Sequence, residues 1–93
     1  METRTIGNLD VSVLGLGCNN FGGKLDAKAT EAVVLSALDH GVTYFDTADA
    51  YGDSEIVLGR ALRSRRDEAI IATKFGSGSA VPEGEVAGSA AWV

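Results

Sequence analysis

Residues 41–62 read GVTYFDTADAYGDSEIVLGRAL, and this stretch decides the fold. Val42-Thr43-Tyr44-Phe45 is a run of β-branched and aromatic residues, the pattern of a buried strand, and Asp46 stands directly at its end. A loop then presents Asp49 and Tyr51 before Gly52 turns the chain. Asp53 or Ser54 is placed to accept the free N–H groups of a helix over roughly 53–64, whose apolar face is Ile56, Val57, Leu58, Ala61 and Leu62. Gly59 inside that helix costs about 1 kcal/mol against alanine, which predicts close packing on a neighbour. Strand, loop and helix make half of a βαβ unit, where polar residues just past the strand's C-terminal end are the usual seat of chemistry.

Working outward from this stretch, the pattern repeats on both sides. Upstream, Asp26 is a good N-cap for a helix over roughly 27–40. Its expected buried face is Ala29, Ala32, Val33, Ser36 and Ala37, widened by Val34, Leu35 and Leu38. Gly41 is its left-handed stop, and His40 reads most simply as a helix-end cation. Before that helix, Val13-Leu14-Gly15-Leu16-Gly17 reads as a short buried strand that breaks into the small, polar loop Cys18-Asn19-Asn20-Phe21-Gly22-Gly23. Thr3 to Val11 is a small hairpin turning at Gly7-Asn8, a pair suited to positive φ. Downstream, Ala69-Ile70-Ile71-Ala72-Thr73 is a third buried strand, delivering Lys74 at its end.

The order is thus hairpin, strand, helix, strand, helix, strand, which means an α/β fold with parallel strands and right-handed crossovers. Residues 1–76 carry it. Residues 77–93, GSGSAVPEGEVAGSAAWV from Gly76 on, are rich in Gly and Ser and read as a loop or disordered tail with the opening of a helix at Ser89 to Val93.

Composition excludes several function classes. The 93 residues make one domain at most, and 13 Asp+Glu against 8 Lys+Arg give a net charge of −5. No basic stripe meets nucleic-acid phosphates or an anionic membrane. The one basic cluster, Arg60, Arg63, Arg65 and Arg66, falls at a helix end, where cations favour the macrodipole; a solvated helix end is the simpler reading than an anion site. A single cysteine, Cys18, allows no internal disulfide and suits a reducing compartment. The N-terminus METRTIGNLD has no apolar core like that of a signal peptide, and no run approaches the roughly 20 apolar residues that cross a bilayer. The expectation is a soluble, cytoplasmic chain that binds neither nucleic acid nor membrane.

Parallel neighbouring strands place their C-terminal ends on one face, so Asp46 and Lys74 can meet there with Tyr51 on the loop above. A tyrosine pKa near 10 makes it a poor acid unless its phenolate is stabilised, which a nearby lysine does. Asp46 would hold that lysine charged and oriented, so the three form a relay able to give a proton to a carbonyl. The other reading of the same residues is an ion pair that closes a sheet end, with Tyr51 packed over it.

The chain also resembles the aldo-keto reductase family. The resemblance rests on Phe45-Asp46-Thr47-Ala48, Tyr51-Gly52, Ser54-Glu55 and Leu58-Gly59-Arg60-Ala61-Leu62, with Val13 to Gly17 similar to the family's first barrel strand and Ala72-Thr73-Lys74-Phe75-Gly76 to the strand bearing its lysine. It covers residues 3 to about 76 in order and spacing. It implies the N-terminal part of a (β/α)8 barrel that reduces aldehydes and ketones with NADPH. By resemblance Tyr51 is the proton donor, Lys74 lowers its pKa, and Asp46 pairs with Lys74 beside the nicotinamide ribose. Gly17, Cys18 and Asn19 match the loop beside the nicotinamide, and Asn20 and Phe21 line the substrate pocket, with a core or turn role equally open to Phe21.

The chain departs from the family in length. The family's catalytic histidine on the next barrel strand has no counterpart here, and the segments that grip the NADPH phosphates lie later still. A (β/α)8 barrel takes about 250 residues, so about three of the eight units are present and the sheet cannot close. Two expectations follow. One is part of an NADPH-dependent reductase of small carbonyl substrates that is inactive by itself. The other is a non-catalytic binding or assembly module that associates through its open sheet edges, with itself or a complementary chain.

Overall fold

The computed structural model describes residues 1–76. The expected tail at 77–93, with its helix opening, lies outside the described residues.

Strands β1 (Thr3–Ile6) and β2 (Leu9–Ser12) form an antiparallel hairpin whose register pairs Ile6 with Leu9 across Gly7-Asn8. Only Gly7 takes positive φ, at +61°, so the turn has its left-handed residue at the first central position. Strands β3 (Gly15–Gly17), β4 (Tyr44–Asp46) and β5 (Ile70–Ala72) form one parallel sheet in that order, with Gly17, Asp46 and Ala72 level at its C-terminal edge. Helices α1 (Ala27–Asp39) and α2 (Ser54–Leu62) make the crossovers and pack on each other. The α/β class, the parallel order and the unclosed sheet are as the sequence implied. Among the described residues no helix is long and apolar enough to cross a membrane.

The first helix starts where Asp26 caps it, its Oδ1 accepting the Ala29 N–H at 2.8 Å. It ends because Gly41 adopts φ +85°, a conformation open to glycine at little cost. His40 lies at the C-cap, and its Nδ1–H donates to the Ser36 carbonyl at 2.7 Å, which fits a helix-end role. Phe45, Leu58, Leu62 and Val34 are the largest fully buried apolar side chains, each worth roughly 1.5–3 kcal/mol of transfer free energy. Cys18, Phe21, Leu38, Val57, Ala61 and Ala69 complete this core.

Several boundaries and faces differ from expectation. Val13 and Leu14 lie outside β3 and are 47% and 59% exposed. The Ser12 hydroxyl donates to the Leu14 carbonyl at 2.6 Å and accepts the Thr43 N–H at 3.0 Å, which bends the backbone there out of the ladder. Val42 gives its N–H to Ala37 O, so it belongs to the close of α1 rather than to β4. The buried stripe of α1 is Thr30, Val34 and Leu38; Ala32, Val33 and Ser36 are exposed, because alanine and serine carry too little apolar area to set the stripe. On α2, Ile56 is exposed, and a Cβ at Gly59 would meet nothing within 4 Å, so close packing does not account for that glycine. Strand β5 is half-buried rather than buried, because it is an edge strand among the described residues.

Candidate functional site

Asp46 ends the central strand, and Lys74 lies two residues beyond Ala72, its partner on the neighbouring strand. Two ladder-like bonds carry the pairing past the strands themselves: Thr47 N–H to Ala72 O at 2.8 Å and Asp49 N–H to Lys74 O at 3.1 Å. Lys74 is therefore held level with the loop that follows β4. Its Nζ donates to Asp46 Oδ1 at 2.5 Å and to Thr47 O at 3.0 Å. The same ammonium lies 5.2 Å from the centroid of the Tyr51 ring, within cation–π range. The structure thus brings together the three residues singled out for chemistry.

Asp46 and Lys74 are half exposed, with side chains 46% and 50% accessible, so the pair faces the open end of the sheet. The hydrogen bond that Lys74 donates to the Asp46 carboxylate holds its ammonium above its ordinary pKa, and the phenol of Tyr51 adds in the same direction. Lysine stays charged across the neutral range.

Beneath this pair lies a buried cluster. The Ser54 hydroxyl donates to Cys18 O at 2.7 Å and meets Thr47 Oγ1 at 2.7 Å. Since Ser54 spends its one proton on Cys18, Thr47 is the donor of the second bond. The three segments that end β3, end β4 and begin α2 are therefore tied at one point. Neither Asp53 nor Ser54 caps α2 as expected: Asp53 makes no side-chain cap bond, and Ser54 is turned inward. Thr73 Oγ1 adds an outer tie, donating to Glu55 Oε2 at 2.6 Å. Sequence reasoning missed Thr47, Ser54 and Thr73 as site supports. The available signal was a pair of hydroxyl residues flanking the loop that carries Tyr51.

The loop after β3 divides. Gly17, Asn19 and Asn20 are exposed; Gly17 is level with Asp46, whose carbonyl accepts the Cys18 N–H at 2.9 Å. Cys18 is 0% exposed, its Sγ directed at Leu16 O, and burial pushes the thiol up to about 11. Phe21 is 3% exposed and packs in the core cluster. Asp49 contributes its backbone, and its Oδ1 is enclosed with no hydrogen-bond partner among the described residues.

A (β/α)8 barrel carries its working residues at the C-terminal ends of its strands, and this sheet has the parallel order and polar edge of such a barrel's opening part, with the separate hairpin before it. Residues 13–93 match the aldo/keto reductase family, and the chain belongs to that family. It is 37% identical over 81 residues to the uncharacterized oxidoreductase YqkF of Bacillus subtilis, covering 83% of this chain and 26% of that one. It is 39% identical over 83 residues to the aldo-keto reductase yakc [NADP(+)] of Schizosaccharomyces pombe, covering 82% of this chain and 24% of that one. The holo form of aldo-keto reductase AKR11C1 from Bacillus halodurans superposes with a TM-score of 0.74 at 39% identity, covering 82% of this chain and 26% of that structure. The chain spans only about a quarter of the length of the relatives it matches, 26% for the first.

Proposed function

We propose that this chain supplies the proton-donating part of an NADP(H)-dependent reductase that converts small aldehydes and ketones to alcohols. The observation that carries the reading is the Lys74 ammonium held at once by Asp46 and Thr47 and set beside the Tyr51 ring. A reduced nicotinamide, when bound, supplies the hydride to the carbonyl carbon. The Tyr51 phenol would give its proton to the carbonyl oxygen, and the Lys74 ammonium would stabilise the phenolate left behind. Asp46 would keep that ammonium charged and aimed.

The residues present fit the nicotinamide end of such a cofactor. Asp46 retains nearly half its surface, enough to accept a ribose hydroxyl, and exposed Gly17 and Asn19 flank it. Cys18, with its thiol buried, would take part through its main chain, and Asn20 is the exposed candidate for the substrate side. Phe21 would support that loop from within the core. The three parallel strands among the described residues do not close a barrel, and the chain spans 26% of its first relative, which supports inactivity of the segment by itself.

The test is Tyr51→Phe in a complete reductase carrying this segment. Turnover should fall at least about 100-fold, the lower range for loss of a general acid, with NADPH affinity little changed. Retained turnover would remove Tyr51 from the proton-donor role.

A further inference from the structure

The arginine cluster at the end of α2 is not one group in the folded chain. Arg65 is consumed by ion pairs to Asp39 and Glu68, each at 2.8 Å, and Arg66 donates to Ala69 O at 2.8 Å. Arg60 and Arg63 form no ion pair among the described residues, and they line an open groove of about 280 Å³ between the two helices. Lys28 and Glu31 of α1 line it too, over a floor of Ala27, Val57 and Ala61. The groove therefore carries a net of two positive charges in a chain whose net charge is −5.

The helix dipole explains Arg60 and Arg63, which fall at the C-terminal end of α2, but it does not explain Lys28. Lys28 sits in the first turn of α1, where the dipole disfavours a cation; the Asp26 carboxylate caps that end, and no acidic residue stands in the turn itself. We propose that this groove binds a small phosphate monoester. A monoester carries about −1.5 to −2 charges at neutral pH, which matches the net charge of the lining. Two guanidinium forks suit phosphate oxygens, and a volume at the low end of ligand pockets suits a body of a few carbons lying on the alanine and valine floor. Glu31 facing the same space disfavours a bare polyanion and accepts a hydrogen bond from a hydroxyl on the ligand body.

This site is independent of the reductase reading, and its test uses no turnover. The full 93-residue chain is titrated at fixed ionic strength with glycerol 3-phosphate and, separately, with inorganic phosphate, following amide shifts and heat. The expected result is saturable binding of the ester, tighter than inorganic phosphate, with shifts centred on Lys28, Glu31, Arg60 and Arg63. Lys28→Gln, Arg60→Gln and Arg63→Gln should each weaken it about twofold to fivefold, the size usual for exposed charge pairs, while Glu31→Gln narrows the preference for the ester over inorganic phosphate and Arg4→Gln changes nothing. Inorganic phosphate binding as well as the ester would overturn the monoester assignment. No binding, non-saturating shifts spread equally to Arg4 and Lys24, or variants equal to the parent would overturn the site.

Discussion

Two polar clusters share the C-terminal end of the sheet, and they are built by consecutive residues. Asp46 feeds the half-exposed pair with Lys74 under Tyr51; Thr47 feeds the buried bonds to Ser54 and, through it, to the Cys18 carbonyl. The buried cluster has no water to fall back on, so each of its bonds must be made by protein. The exposed pair can exchange its partners for solvent, which makes it cheap to break and available to a ligand. One cluster holds the loop carrying Tyr51; the other presents the groups that act.

That contrast is testable by deletion. Ser54→Ala should have the largest effect, about 1–3 kcal/mol of stability in urea denaturation, because it orphans the Cys18 carbonyl and the Thr47 hydroxyl together. Thr47→Val should cost about 1 kcal/mol, since Ser54 keeps its bond to Cys18. The double variant should lose less than the two single losses added, as partners in one network do. Fully additive losses would mean that the hydroxyls do not act as a unit. Lys74→Met should shift stability less than either hydroxyl variant, as exposed ion pairs do, while abolishing most turnover in a complete reductase. A stability loss rivalling that of Ser54→Ala would erase the distinction between the clusters.

The exposed cluster was legible from the chain and the buried one was not, for a physical reason. Asp46, Tyr51 and Lys74 announce themselves through charge and placement at strand ends. Parallel order alone then brings them to one edge, as the register of Asp46 with Ala72 bears out. Ser54 and Thr47 are small hydroxyl residues whose commonest use is a cap or a turn, and local sequence says nothing of a carbonyl 36 positions away. The same limit applies to the faces of the helices. Gly41 and Asp26 act locally and sit where expected, whereas the orientation of α1 depends on what Val34 and Leu38 meet across the core. Gly59 shows the converse error. A glycine read as a packing contact has open space above it, and nothing in the structure explains it.

The pH dependence of stability addresses both clusters in a single experiment. Cys18, beneath, has its thiol raised from 9.0 to about 11 by burial; Lys74, above, has its ammonium raised above 10.5 by Asp46. Both shifts favour the protonated form in the native state, so both make stability fall as pH rises. The Cys18 contribution declines between pH 9 and about 11, where the unfolded thiol ionises and the native one does not. The Lys74 contribution is complete below 10.5 and is lost only as pH climbs through its higher native value. Denaturation curves from pH 8 to 12 should therefore bend first at the cysteine. Cys18→Ala should flatten the segment from 9 to 11, and Lys74→Met only the segment above 10.5. If stability did not fall between pH 9 and 11 in the parent chain, the thiol would be titrating in contact with solvent, and the loop after β3 would be open where the structure has it closed.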